Sequence, residues 1–203
     1  MGISLQQFNR MKERVSGASR MPSPALTTGL VRAQNPAASV ILGVDPSLRG
    51  TGYGVIRVAK SSAEALDHGT IACPSGWERS RCLVRISGEL RDVIKKHKPG
   101  LCVIEGLFYA QNLQTALIMG EARGAALAVI AEAGIEIYEI APRKIKQAIV
   151  GYGAAQKSAV GKMVQRLLRL AEPPASDAAD ALAVALAHAQ SNHRYSLAAP
   201  KRV

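Results

Sequence analysis

Hydrophobic positions follow two rhythms along this chain. Short continuous apolar runs, the mark of buried strands, occupy Ser39–Val44, Tyr53–Val58, Ala65–Ala72, Leu101–Ile104 and Ile135–Ile140. Elsewhere apolar residues recur every three or four positions. Leu83, Ile86, Leu90 and Ile94 do so within Glu78–His97, a helix that Pro99-Gly100 stops. Gln114–Ala133 also reads as a helix, with Gly120 and Gly124 on one face, where another backbone can approach closely. Pro142–Val150 and Gln156–Leu170 read as basic helices, and Pro173-Pro174 breaks the chain before an Ala-rich helix over Asp177–Ala189. Gly50, Gly52 and Gly54 fall where the first strand gives way to the second and read as hairpin glycines. Three hairpin strands followed by alternating helix and strand predict an α/β fold: a five-stranded mixed sheet flanked by helices on both faces.

The pattern fades at both ends. Residues 1–39 carry Pro22, Pro24 and Pro36 among small residues and, beyond a short helix near Leu5–Val15, no sustained periodicity. The plan is therefore a flexible basic leader over 1–39, one globular domain over 40–190 and a basic C-terminal tail over 191–203. The leader lacks the uninterrupted apolar core of a secretory signal; an organelle transit peptide, an upstream start codon and a loose basic arm stay open. At 48% hydrophobic and 20% charged residues the chain is not disordered. Its most apolar stretch, Gly124–Ala131, lies between Arg123 and Glu132 and is far short of a membrane span, so no membrane is expected. Cys73, Cys82 and Cys102 fit neither a disulfide framework nor a zinc site and point to a reducing compartment. The net charge is +11, of which the leader holds +4, the tail +3 and the body +4. Such a surplus attracts polyanions, nucleic acid first.

Against that basic background four acids stand in unusual places. Asp45 and Glu105 each end an apolar strand, and Asp177 and Asp180 open the last helix three residues apart, so both can face one point. Each has a plainer explanation in isolation: Asp45 before Pro46 as a turn former, the helix pair as a complement to the helix dipole. Together they would form a tight negative cluster, costly unless divalent cations neutralise it. Oxygen-only ligation favours Mg²⁺ or Mn²⁺, and two such ions can clamp the attacking and leaving oxygens of a phosphodiester.

These segments resemble the RuvC family of bacterial Holliday-junction resolvases. Ile41-Leu42-Gly43-Val44-Asp45-Pro46 and Thr51-Gly52-Tyr53-Gly54-Val55-Ile56 are similar to its opening, and Ile104-Glu105-Gly106-Leu107-Phe108 with Asn112, Ala116, Leu117, Gly120, Ala122, Arg123 and Gly124 to its second acidic segment. Pro142-Arg143-Lys144-Ile145-Lys146-Gln147, Gly151, Gly153 and Gln156-Lys157-Ser158 resemble its basic segment, and Asp177-Ala178-Ala179-Asp180-Ala181-Leu182-Ala183 its closing one. The likeness implies an RNase H-like fold over 40–190 and a homodimer. It also implies Mg²⁺-dependent endonuclease activity on four-way DNA junctions in recombination and repair, with Mn²⁺ as a substitute. Carried over, Asp45, Glu105, Asp177 and Asp180 are the catalytic, metal-binding carboxylates, holding two metals per subunit and leaving 5′-phosphate and 3′-hydroxyl ends. Paired sites in a two-fold dimer would nick two strands of like polarity. Collaboration with the RuvA–RuvB branch-migration complex and a cytoplasmic, nucleoid-associated location are further implications. Ser47-Leu48-Arg49-Gly50 departs from the usual Gly-led loop, and the leader has no counterpart.

Arg143, Lys144, Lys146 and Lys157 are read as phosphate contacts and Phe108 as a residue stacking on unpaired bases at the junction centre; the alternatives are a solvated helix face and core packing. Gly151–Ser158 ends in Lys-Ser, but Gln156 replaces the glycine a phosphate loop needs, so no nucleotide hydrolysis is expected. The glycines at 50, 52 and 54 precede a strand rather than a helix and are no dinucleotide fingerprint. His68, His97, His188 and His193 lack ligand spacing, and His188 is read as structural. Three rival functions remain: a branched-DNA binder that does not cut, another RNase H-like nuclease, and an actin-like ATPase, the last disfavoured by chain length and by the Asp177/Asp180 pair.

Overall fold

A computed structural model of the protein describes residues 39–59, 62–106, 113–191 and 201–203. The strands are β1 (Ser39–Asp45), β2 (Gly50–Ala59), β3 (Ser62–Ala72), β4 (Leu101–Glu105), β5 (Glu136–Ile140) and β6 (Lys201–Arg202). The helices are α1 (Arg79–His97), α2 (Leu113–Glu132), α3 (Pro142–Val150), α4 (Lys157–Leu168) and α5 (Ser176–Ser191). They build one sheet in the order β3-β2-β1-β4-β5-β6. β1 pairs antiparallel with β2 and parallel with β4, which pairs parallel with β5. The mixed sheet is as expected, but it has six strands rather than five. The sixth lies within the expected basic tail: Arg202 and Lys201 pair antiparallel with Tyr138 and Glu139 of β5, and Arg202 bridges to Glu136 at 2.8 Å. Two residues are too few to show a hydrophobic period.

Strand alternation sends successive side chains to opposite faces, and each face has its own core. Leu42 and Val44 of β1 and Cys102 and Ile104 of β4 meet Ile86, Leu90, Ala126 and Ile130 of α1 and α2. Ile41 and Val103 meet Ile145, Val164, Leu182 and Leu186 of α3, α4 and α5. α2 is apolar nearly all round. It buries Ala122, Arg123, Ala126, Val129 and Ile130, while Leu113 and Leu117 are 77% and 61% exposed. It is the described helix long and apolar enough to cross a membrane, yet its buried Arg123 is tied to the sheet.

The glycine segment corrects the sequence reading. Gly50, Gly52 and Gly54 belong to β2 rather than to a turn. A Cβ on Gly52 would collide with the Asp177 carbonyl oxygen, one on Gly43 with that of Ala181, and one on Gly54 would stand 2.7 Å from Leu182 Cδ2. These glycines are there because the small-residue helix α5 rests directly on the β1–β2 backbone. That close seat brings the start of α5 to the end of β1.

Candidate active site

β1 and β4 are parallel neighbours at the middle of the sheet, Val44 lying beside Ile104. Their last residues, Asp45 and Glu105, therefore emerge side by side, half-buried, on the face that α5 covers. The two carboxyl groups are hydrogen-bonded to each other. Burial, then the bond to Asp45 and the charges of Asp45 and Asp180, push the Glu105 carboxyl up to about 9. Burial also raises Asp45, although the bond from Glu105 opposes it. Two carboxyl groups in such contact resist double ionisation, so the pair is held toward its protonated form.

α5 contributes the other two acids from its first turns, where the positive end of the helix favours them. Asp180 Oδ2 accepts a 2.7 Å bond from Lys157 Nζ at the start of α4. That bond raises the Lys157 ammonium above its ordinary value, and the charges of Asp45 and Glu105 act in the same sense. Asp177 Oδ2 would lie 2.7 Å from a Cβ on Gly50, so β2 leaves room for this carboxylate only by lacking a side chain there. Asp177 and Asp180 both act electrostatically on Asp45. The four acids predicted from sequence and Lys157 thus share one site.

The set suits hard divalent cations: the donors are all carboxylate oxygens, and an ammonium already stands in as counter-charge at Asp180. Among the described residues no three His, Cys, Asp or Glu side chains are arranged to hold an ion. The Asp45–Glu105 bond and the Lys157–Asp180 ion pair occupy the oxygens that coordination would use.

The surroundings are mixed. In the loop after Asp45, buried Thr51 donates to the Ser47 carbonyl at 2.6 Å and accepts from the Ser47 N–H at 3.2 Å. Arg49 of the unusual loop donates to the carbonyls of Pro74 and Trp77 at 2.6 and 3.1 Å, which anchors the loop to the segment ahead of α1. Arg143 and Lys144 of α3 are exposed and Lys146 is half-buried; the Arg143 stem crosses Gly153. Among the described residues none of these three bonds to the carboxylates. Phe108 lies outside the described residues. His188 is buried, its ring 5.1 Å from that of Tyr138, in keeping with a structural role. Sequence reasoning gave Arg123 no role of its own. Its signal was a lone cation inside an apolar helix: its guanidinium donates to the Glu105 carbonyl oxygen at 2.6 Å and pairs with Glu139.

The family model described as crossover junction endodeoxyribonuclease RuvC matches residues 41–188, which include all four carboxylates. The chain belongs to the RuvC family. It is 45% identical to the crossover junction endodeoxyribonuclease RuvC of Akkermansia muciniphila over 148 residues, 73% of this chain and 89% of that one. Identity to the RuvC of Rubrobacter xylanophilus is 43% over 160 residues, 78% of this chain and 89% of the relative. Among solved structures, T. thermophilus RuvC in complex with Holliday junction substrate is 31% identical and superposes with a TM-score of 0.74, covering 81% of this chain and 99% of that one. The yeast mitochondrial Holliday junction resolvase Ydc2 shares the RuvC fold at 13% identity and a TM-score of 0.56.

Proposed function

We propose that this protein is a divalent-metal-dependent endonuclease that resolves four-way DNA junctions during recombination and repair. The observation that carries the reading is the meeting of Asp45, Glu105, Asp177 and Asp180, from two strands and a helix far apart in sequence, at the C-terminal ends of the two central strands of a RuvC-family chain. A protein that only bound DNA would gain nothing from like charges placed beside phosphates. In the reading, Asp45, Glu105, Asp177 and Asp180 hold two Mg²⁺ per subunit, and Mn²⁺ substitutes. Bound there, the ions would supply the positive charge that water activation and the leaving oxygen need, and the products would carry 5′-phosphate and 3′-hydroxyl ends.

The chain's own groups prepare that chemistry. Asp45 and Glu105 would hold the cations in their ionised form, and Lys157, paired with Asp180 here, would turn to a substrate phosphate close to the scissile bond. Arg143, Lys144 and Lys146 hold flanking phosphates, giving salt-dependent and sequence-independent affinity. Phe108, three residues beyond Glu105, stacks on an unpaired base.

A four-way junction has two-fold symmetry, so paired nicks in strands of like polarity call for a two-fold dimer. The exposed side of α2 is suited to it: Leu113 and Leu117 face outward, and Cβ atoms on Gly120 and Gly124 would meet nothing within 4 Å. α1 exposes Val84 at 73% as well. Leu117→Glu should give monomers in sedimentation; a dimer that survives both Leu117→Glu and Val84→Glu excludes both helices. Cooperation with a RuvA–RuvB complex in the cytoplasm, at the nucleoid, completes the proposal.

The test is nicking of an immobile and a mobile four-way junction, an RNA–DNA hybrid and a linear duplex, with and without Mg²⁺. Metal-dependent paired nicks confined to the junctions are expected. Binding without nicking favours the non-cutting binder, and preferential cutting of the hybrid favours another RNase H-like activity.

A further inference from the structure

The sheet separates the four carboxylates from a second buried charge system. Glu139 follows Tyr138 on β5 and lies beside Ile104, so its side chain falls on the α2 face, opposite the site. There Arg123 of α2, only 7% exposed, reaches it. One guanidinium nitrogen pairs with Glu139 Oε2 and the other donates to the main-chain carbonyl of Glu105 at 2.6 Å. The next residue closes the frame. Gly106 N–H donates to the Ile140 carbonyl at 2.9 Å, and a Cβ on Gly106 would stand 3.2–3.4 Å from the Glu139 side chain. The chain is therefore gripped from two sides at the point where β4 ends.

The geometry points to Arg123, oriented by Glu139, as a positioning residue that fixes the Glu105 carboxyl group from the far face of the sheet. Burying a guanidinium in an apolar helix, even with a half-buried carboxylate beside it, is a poor way to gain stability, since hydrophobic residues of similar volume usually serve as well. Its distinctive yield here is direction. A planar fork with one arm on Glu139 and the other on the Glu105 carbonyl fixes that peptide plane, and the peptide plane sets where the side chain on the other face points. A lysine offers no such fork, and glutamine at 139 removes the charge that orients it.

The inference rests on the reading of Glu105 as a metal ligand, and the experiment separates the two. Arg123→Lys and Glu139→Gln are compared with the unaltered chain by calorimetric titration with Mn²⁺ and by the Mn²⁺ concentration for half-maximal junction nicking. Groups that orient metal ligands typically govern affinity by about 10–100-fold. Both variants should bind Mn²⁺ at least about tenfold more weakly and shift the half-point by a similar factor. Junction binding without metal should stay within about twofold, since the phosphate contacts are untouched. The half-point does not depend on how much of a sample is folded, so it stays informative if Arg123→Lys is recovered only in part. Mn²⁺ affinity and half-points within about twofold of the unaltered chain, in both variants, overturn the inference and leave a purely structural ion pair. An unaltered chain that binds no Mn²⁺ overturns the ligand reading itself.

Discussion

The strand-borne acids and the helix-borne acids of the site are held in different ways. Asp45 and Glu105 stand side by side on adjacent strands at the centre of the sheet, with burial raising both. Asp180 sits on a helix and is balanced by a lysine whose side chain is 68% exposed. One pair is set rigidly by the sheet and is electrically costly at neutral pH. The other has its counter-charge on an exposed lysine. A site that must gather cations and then grip a phosphate has use for both: a strand pair that a cation must neutralise, and a helix acid whose lysine partner can turn to a phosphate.

The sharpest break in that comparison is removal of a strand acid. Asp45→Asn or Glu105→Gln should lower single-turnover nicking by at least about 10³-fold, roughly 4 kcal/mol of transition-state stabilisation. Junction binding in EDTA should persist, and metal-free melting at neutral pH should move upward, because a carboxyl whose ionisation burial disfavours has gone. Full nicking by either variant would end the present reading. Next in size is Asp180→Asn, which leaves the strand pair intact. Nicking should fall by about 10²-fold, with partial recovery at raised Mn²⁺, because Asp177 and the strand pair still supply ligands. Loss as deep as that from Asp45→Asn would show that the helix pair is no more forgiving than the strand pair.

A pH series on metal-free protein isolates the strand pair. Glu105 is raised in the folded chain to about 9 from an ordinary 4.5, so between these values the folded state binds a proton that the unfolded state has released. Its contribution to stability is intact below about 4.5, declines as pH climbs toward 9, and changes no further above that. Glu105→Gln should flatten this part of the melting-temperature profile, and an unaltered slope in the variant would contradict the assignment. The smallest effect expected is that of Lys157→Met on binding: the slope of log affinity against log salt should fall by about one. An unchanged slope, read by titrating junction DNA over 50–200 mM salt, about the range where phosphate contacts show most strongly, would confine Lys157 to its bond with Asp180.

Where periodicity is strong, sequence and structure coincide: α1, β4, β5 and α5 lie within a residue or two of the patterned segments. Asp45 and Glu105 were legible because a carboxylate at the end of an apolar strand contradicts its context, and Asp177 and Asp180 because they stand three apart at the start of the last helix. Other features leave no such trace. β6 is two residues long and owes its place to the open edge of β5. The glycines of β2 look like turn formers in one dimension, because what they accommodate, the backbone of α5, comes more than a hundred residues later. Arg123 shows itself as a cation in an apolar helix, but its partners, Glu139 and the Glu105 carbonyl, are known only once β4 and β5 lie side by side.

The bare seat of α5 on β1 and β2 has a consequence for how this protein can change. Between ordinary layers a cushion of flexible side chains absorbs small slips; here one wall touches the other directly. A methyl group added on either side lifts the whole helix, and Asp177 and Asp180 travel with it by nearly the full displacement. Drift in these strands must therefore be matched by drift in the helix, and lineages that alter one without the other should lose catalysis before they lose the fold.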